Sequence, residues 1–286
     1  MDIKNVGVVG LGTMGTGIAQ ACAQAGYQVT AYARSSGSLD KGMARISSVL
    51  SRLVERGRLS QQVKDSTLAH LKGSTSIGDL SGCDLVLEAV PEDLELKKKV
   101  FAQLDEVCAQ HAVLGSNTSC LSITDLAMAT KRPDRVLGAH FHNPPPVMTL
   151  LELVKTIVCS DETIASVKQF GQSLGKTVVV SPDVSGFIVT RLFTPFLLGA
   201  VRMLEEGIAT RDDIDAACKG ALNHPMGPLE VIDFIGLDTE LAIDDVMYAD
   251  TKDPKYAAPI LLRKMVAAGW LGRKTGKGFY DYSHRA

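Results

Sequence analysis

A glycine-rich turn, Gly10-Leu11-Gly12-Thr13-Met14-Gly15, and a histidine and glutamate farther along the chain, His140 and Glu152, are the features whose types and spacing suit chemistry. The turn follows the β-branched run Val6–Val9 and opens into the apolar stretch Ile18–Ala23, so it reads as strand, glycine turn, helix. Its first two glycines permit a tight turn and close approach of the backbone to a pyrophosphate. The third permits close helix packing, and the helix start contributes unpaired N–H donors and a positive dipole end. A turn of this kind is, by itself, as readily structural as functional. Its place between the required elements, with a second strand at the right distance, favours dinucleotide binding through Gly10, Gly12, Thr13, Met14 and Gly15.

His140 closes a β-like run and precedes Phe141-His142-Asn143-Pro144-Pro145-Pro146, whose prolines keep the chain extended and stiff. That puts an imidazole at the carboxyl edge of the sheet, where open α/β sheets bind ligands. A lone histidine there is more often a satisfied structural residue. Glu152 alters the balance, because within the apolar run Leu150–Val154 a buried carboxylate demands a partner. An imidazole oriented by a carboxylate suits the oxidation of a secondary alcohol, which gives up a hydride to a nicotinamide and a proton to a base.

The second strand should end in an acid that grips the ribose hydroxyls of NAD. The chain instead reads Tyr32-Ala33-Arg34-Ser35-Ser36, with Ala33 in the acid's place. Without that carboxylate a 2′-phosphate is not repelled, and Arg34 and Ser35 offer a cationic fork and a hydroxyl. The expectation is NADP in preference to NAD; the alternative is a solvated loop with NAD still held through its pyrophosphate.

The elements that must position these residues are legible as period. From Val6 to Val180 short β-branched runs alternate with helical patterns, as in a mostly parallel sheet covered by helices. Candidate strands are Val6–Val9, Gln28–Tyr32, Asp84–Ala89, Ala112–Gly115, Arg135–His140, Leu150–Val154 and Thr177–Val180. An insertion from Leu39 to Lys72 reads as a helical hairpin projecting from the sheet. After Ser181-Pro182-Asp183 only helical patterns remain, at about Phe187–Glu206, Arg211–Ala221, Leu229–Tyr248 and Ala257–Ala268. The fold class is therefore α/β, Rossmann-type, with a dinucleotide domain over 1–183 and an all-helical substrate or dimerisation domain over 184–286.

A net charge of −2 supplies no global field for nucleic acid or an anionic membrane. The six cysteines lie apart, without zinc-ligand spacing, and read as buried reduced thiols; no metal is expected. No apolar run approaches membrane-span length and no leader pattern opens the sequence, so the expected compartment is the cytoplasm.

The chain resembles the short-chain L-3-hydroxyacyl-CoA (3-hydroxybutyryl-CoA) dehydrogenases over nearly its whole length. The matching stretches are Gly10–Gly17, Ser116-Asn117-Thr118-Ser119, Gly138–Met148, Gly186–Arg191, His224–Glu230 and Gly269–Tyr280. The resemblance implies a Rossmann domain followed by a helical dimerisation domain, with His140 as acid/base and Glu152 as its orienter. It further implies that Ser119 contacts the substrate oxygen and that Asn117, Glu92, Lys97 and Lys274 lie near the cofactor. From the residues alone, Ser119 is a turn or helix-cap candidate, Glu92 a helix-start acid and Lys97 a solvated lysine. Thr190 stands where the family has an asparagine and can donate one hydrogen bond without the amide's reach. His142 stands where the family usually has an aromatic, and reads as a surface or supporting histidine.

The hairpin carries Arg45, Arg52, Arg56 and Arg58, with Arg52 and Arg56 on one helical face. A solvated charged face accounts for them equally well; the resemblance implies that they hold the phosphates of coenzyme A. The leading expectation is interconversion of (S)-3-hydroxybutyryl-CoA and acetoacetyl-CoA by a homodimer. The rivals are a related dehydrogenase of a free hydroxy acid, of gulonate or carnitine type, and a non-catalytic NADP-binding sensor or structural dimer.

Overall fold

The computed structural model describes residues 2–283 and divides into two compact units, Met1–Val184 and Ser185–Ala286. In the first, strands β1 (Asn5–Val9), β2 (Gln28–Tyr32), β3 (Leu71–Ser74), β4 (Leu85–Glu88), β5 (Val113–Ser116), β6 (Val136–Phe141), β7 (Leu150–Lys155) and β8 (Thr177–Pro182) form one sheet. Their order is β3-β2-β1-β4-β5-β6-β7-β8, and only the β6–β7 pair is antiparallel. The chain reverses its direction of travel across the sheet at β1, so a crevice opens at the carboxyl ends of β1 and β4, the place where such sheets take ligands. Val6, Val8, Leu85, Leu87, Val113 and Leu137 are buried to 1% exposure or less. Each such side chain contributes roughly 1.5–3 kcal/mol against exposure, which is why these runs are held as central strands.

Helices α1 (Thr13–Gln24), α2 (Ser36–Glu55), α3 (Gln61–Ala69), α4 (Leu94–Val107), α5 (Ile123–Ala127) and α6 (Asp161–Ser173) cover the sheet. Ser35, Ser60, Asp93, Ser122 and Ser160 cap the last five of these, each side chain accepting a backbone N–H from the first turn. The inserted hairpin does not project. Ile46 and Leu50 of α2 belong to the main core, and at Gly42 an added Cβ would stand 2.6 Å from Leu11 Cβ, so α2 lies directly on the glycine turn. Nor does the hairpin reach Lys72, which belongs to β3. That strand is short, with an exposed middle, and so lacks the apolar alternation by which strands are recognised.

The second unit is helical: α7 (Val189–Glu205), α8 (Arg211–Leu222), α9 (Pro228–Ile235), α10 (Leu237–Thr251) and α11 (Ile260–Ala267). The continuous helix expected over Leu229–Tyr248 is broken at Gly236, where φ is 104°. Buried Asp215 accepts the N–H groups of Leu229 and Glu230 at the start of α9 and the Tyr280 hydroxyl. Asp233 accepts from the N–H groups of Phe279 and Tyr280 and from the Tyr282 hydroxyl. These two acids satisfy a helix start and a returning tail that backbone partners alone would leave open. Among the described residues no helix is long and apolar enough to cross a membrane. Five cysteines are buried, while Cys218 is only half-buried, on the less covered side of α8.

Candidate active site

The antiparallel register of β6 and β7 sets His140 directly opposite Glu152. Opposed residues on neighbouring strands share a face, so the two side chains meet without any loop to position them. Glu152 is fully buried and its Oε2 accepts from His140 Nδ1 at 2.7 Å. That bond fixes the proton on Nδ1 and leaves Nε2 as an acceptor, 3.2 Å from Ser119 Oγ. Burial pulls the His140 pKa below its ordinary value of 6.5, reinforced by His142 and opposed by the Glu152 hydrogen bond and the charges of Glu152 and Glu92. Burial wins, so the imidazole is neutral at neutral pH, the state a general base requires.

His142 follows on the same segment, with Nε2 3.3 Å from Glu152 Oε2 and its ring centroid 4.5 Å from that of His140. Two imidazoles and a carboxylate place three ligand atoms within 4.8 Å of one another, the composition of a zinc centre. Two ligands of one tetrahedral zinc, each at about 2.0–2.1 Å, stand about 3.3 Å apart. The 2.7 Å contact is shorter than that and describes a hydrogen bond. Burial pushes the neighbouring Cys120 thiol up to about 12, which excludes a thiolate nucleophile here.

The segment after β6 is braced from two sides. Lys176 donates to the carbonyls of Pro145 and Met148, both at 2.6 Å. At Gly17 of α1 an added Cβ would lie 2.6 Å from Pro145, so the proline segment rests on the helix that begins at the glycine turn. In that turn a Cβ on Gly10 would meet Ala89 O at 2.7 Å and one on Gly15 would meet Gly10 O at 1.7 Å, whereas Gly12 faces open space. Gly12 caps α1 with no side chain, leaving first-turn N–H groups directed outward beside Thr13 and Met14. An open cradle of backbone donors fits the pyrophosphate of a dinucleotide. Arg45, which the sequence grouped with the hairpin arginines of the candidate coenzyme A patch, donates to Thr13 Oγ1 at 3.3 Å and sets a cation beside this cradle.

A second buried network lies at the end of β4. Glu88 accepts from Lys97 Nζ and Ser116 Oγ, both at 2.7 Å, and from Val90 N at 2.6 Å. Lys97 also reaches Glu92 Oε2 at 3.3 Å, and Glu92 accepts from Thr118 Oγ1 and, at 3.1 Å, from Ser119 N. Lys97 is 1% exposed, so it is not the solvated lysine that its position suggested. Asn117 Oδ1 accepts from Phe141 N at 2.8 Å, tying β5 to the strand that carries His140. Glu88 escaped notice although the signal used for Glu152, a lone acid in an apolar run, applies to Leu85–Glu88 as well.

Ala33 is buried where an acid was expected, Arg34 is exposed, and Ser35 serves as the cap of α2. Arg52 and Arg56 are exposed at the far end of α2. In the helical unit Thr190 is the second residue of α7, and Lys274 lies in a tight turn with its amine paired to Asp238.

Comparison with known proteins identifies the family to which this chain belongs. Residues 5–184 match the 3-hydroxyacyl-CoA dehydrogenase NAD-binding domain and residues 186–282 match the C-terminal domain of the same family. A 3-hydroxybutyryl-CoA dehydrogenase of Mycobacterium tuberculosis is 47% identical over 282 residues, covering 98% of this chain and 99% of that protein. One from Clostridioides difficile is 44% identical, covering 96% and 98%. The crystal structure of (S)-3-hydroxybutyryl-CoA dehydrogenase from Ralstonia eutropha superposes with a TM-score of 0.95 at 46% identity, covering 99% of this chain and 100% of that one. With matching domains along almost its full length, the chain belongs to the 3-hydroxyacyl-CoA dehydrogenase family and is a nicotinamide-dependent oxidoreductase.

Proposed function

We propose that the chain interconverts (S)-3-hydroxybutyryl-CoA and acetoacetyl-CoA, with His140 as the proton-transferring group. The observation that carries this reading is a buried imidazole held by Glu152 on one nitrogen while the other, an acceptor, faces the Ser119 hydroxyl. In the oxidation direction His140 Nε2 accepts the proton of the C3 hydroxyl as the C3–H bond gives up its electron pair. A bound nicotinamide would supply the hydride acceptor. Ser119 holds the substrate oxygen beside Nε2, and Glu152 stabilises the imidazolium that forms, with no full proton transfer to the carboxylate. By the family resemblance, Thr190 stands at a substrate-contact position and Lys274 and Asn117 at cofactor-proximal positions. Arg52 and Arg56 meet the phosphates of coenzyme A through planar cationic forks.

NADP is the preferred cofactor in this reading. Buried Ala33 removes the acid that would repel a 2′-phosphate, while Arg34 and the positive start of α2 at Ser35 favour one. The enzyme works as a cytoplasmic homodimer; support comes from exposed apolar side chains of the helical unit, Leu192, Ile208, Leu222, Phe234 and Ile260, and from free thiols.

One set of assays tests the reading: acetoacetyl-CoA and free acetoacetate, each with NADPH and with NADH, followed by cofactor absorbance. Turnover of the thioester, its loss in His140→Gln, and a lower KM for NADPH are expected. Turnover of the free acid at equal efficiency would replace the thioester reading, and retention of activity in His140→Gln would remove the assigned base.

A further inference from the structure

His142 closes a triangle that the reaction as described does not use. Its Nε2 is buried, lies 3.3 Å from Glu152 Oε2 and has no well-formed hydrogen bond, while the same oxygen accepts from His140 Nδ1 at 2.7 Å. The two rings stand 4.5 Å apart and tilted by 58°, too steep to be a simple stack. A carboxylate oxygen has a limited capacity for strong donors, and sharing it with a second imidazole weakens its hold on the first.

We propose that His142 is a positioning residue: it shares Glu152 Oε2 with His140 and so divides one carboxylate between two imidazoles, loosening the grip on the ring that moves the proton. The proposal rests on the reading of His140 as the base. Groups facing His140 among the described residues include Glu152 from β7, Glu92 from the segment after β4, the Ser119 hydroxyl from the segment after β5, and His142 on its own segment. Of these, the two acids favour a protonated His140 and His142 opposes it. His142 is thus the one neighbour among them that keeps the base free of its proton without being part of the substrate's contacts. In a buried site where Glu152 pulls the other way, that counterweight sets how acidic a medium the enzyme tolerates before its base is lost.

The experiment compares wild type with His142→Phe and His142→Gln. In each, kcat/KM for 3-hydroxybutyryl-CoA oxidation is measured against pH, and the His140 ring is titrated by NMR on protein carrying nitrogen-15 histidine. In His142→Phe the acid limb and the His140 titration both move to higher pH, and the plateau falls by about 2- to 10-fold as the carboxylate loses its second anchor. Glutamine retains an N–H that can reach and share Oε2, so His142→Gln recovers the plateau and returns the limb and the His140 titration toward their wild-type positions. The NMR titration reads His140 whatever its chemical role. A titration that moves while His140→Gln remains active would therefore spare this coupling and remove the base assignment instead. An unmoved titration in His142→Phe would overturn the proposal, as would an equal displacement in His142→Gln, or a change confined to KM, which would make His142 a substrate contact. If His142→Phe fails to fold, His142→Leu, which likewise offers Oε2 no donor, decides by the same two measurements.

Discussion

Replacing Glu152 with glutamine keeps the volume of a fully buried side chain and removes its charge. Two losses follow from the geometry. The imidazolium formed during oxidation loses a charged acceptor 2.7 Å from Nδ1, and hydrogen bonds to charged groups contribute about 1.5–3 kcal/mol, or about 10- to 150-fold in rate. The amide can also turn its NH2 toward Nδ1, which drives the ring proton onto Nε2 and leaves a donor where Ser119 and the substrate need an acceptor. In a comparable histidine–carboxylate pair the tautomer error brings the total to about 10⁴-fold, so a fall in kcat between about 10² and 10⁴ is expected. Since Glu152 raises the His140 pKa, removing it moves the acid limb of kcat/KM to lower pH, opposite to the effect of removing His142. Steady-state oxidation of 3-hydroxybutyryl-CoA across pH measures both, with NADPH and NADH fluorescence titrations to show that cofactor binding persists. A loss below about tenfold with an unmoved limb would refute the argument that the carboxylate orients the base.

In the helical unit, Glu240 and Asp244 lie one turn apart on α10, fully or nearly buried, and burial first and then their mutual repulsion push Asp244 up to about 9, with Glu240 at about 7. Asp244 holds its proton in the folded state from its ordinary 3.8 up to that value, so stability is fullest at the acid end and falls as pH rises through the window. One proton over two pH units amounts to about 3 kcal/mol, so between pH ~6 and ~8 wild type should lose about that much more unfolding free energy than Asp244→Asn, read by urea titration. Equal slopes would show that the pair does not hold the proton. Reversing Arg52 and Arg56 to glutamate should raise KM for the thioester at least about tenfold, one phosphate contact being charge-assisted, while the cofactor's Kd stays constant; an unaltered KM would remove these residues from the CoA site. Lys97→Met strands Glu88 in the core and should cost about 3–5 kcal/mol, measured by denaturant unfolding, whereas a change below about 1 kcal/mol would mean that Ser116 and the Val90 amide suffice.

Period and residue type carried the sequence reading a long way. Alternating β-branched runs and helical patterns marked seven of the strands to within a residue or two, because buried parallel strands must be apolar throughout. The glycine turn was legible because only glycine tolerates φ of 94° against Ala89 O or a Cβ position 1.7 Å from a carbonyl. His140 and Glu152 were legible as types in unusual surroundings. Their meeting was decided elsewhere, by the antiparallel pairing of β6 with β7, since a one-residue slip would turn one of them to the opposite face. The short exposed strand β3 and the break at Gly236 carried no comparable pattern. The Glu88–Lys97–Glu92 network and the approach of His142 to Glu152 were beyond the sequence for a related reason. Local composition names the groups that need partners, but burial and cross-strand register choose which partners they receive, and both are properties of the packed chain.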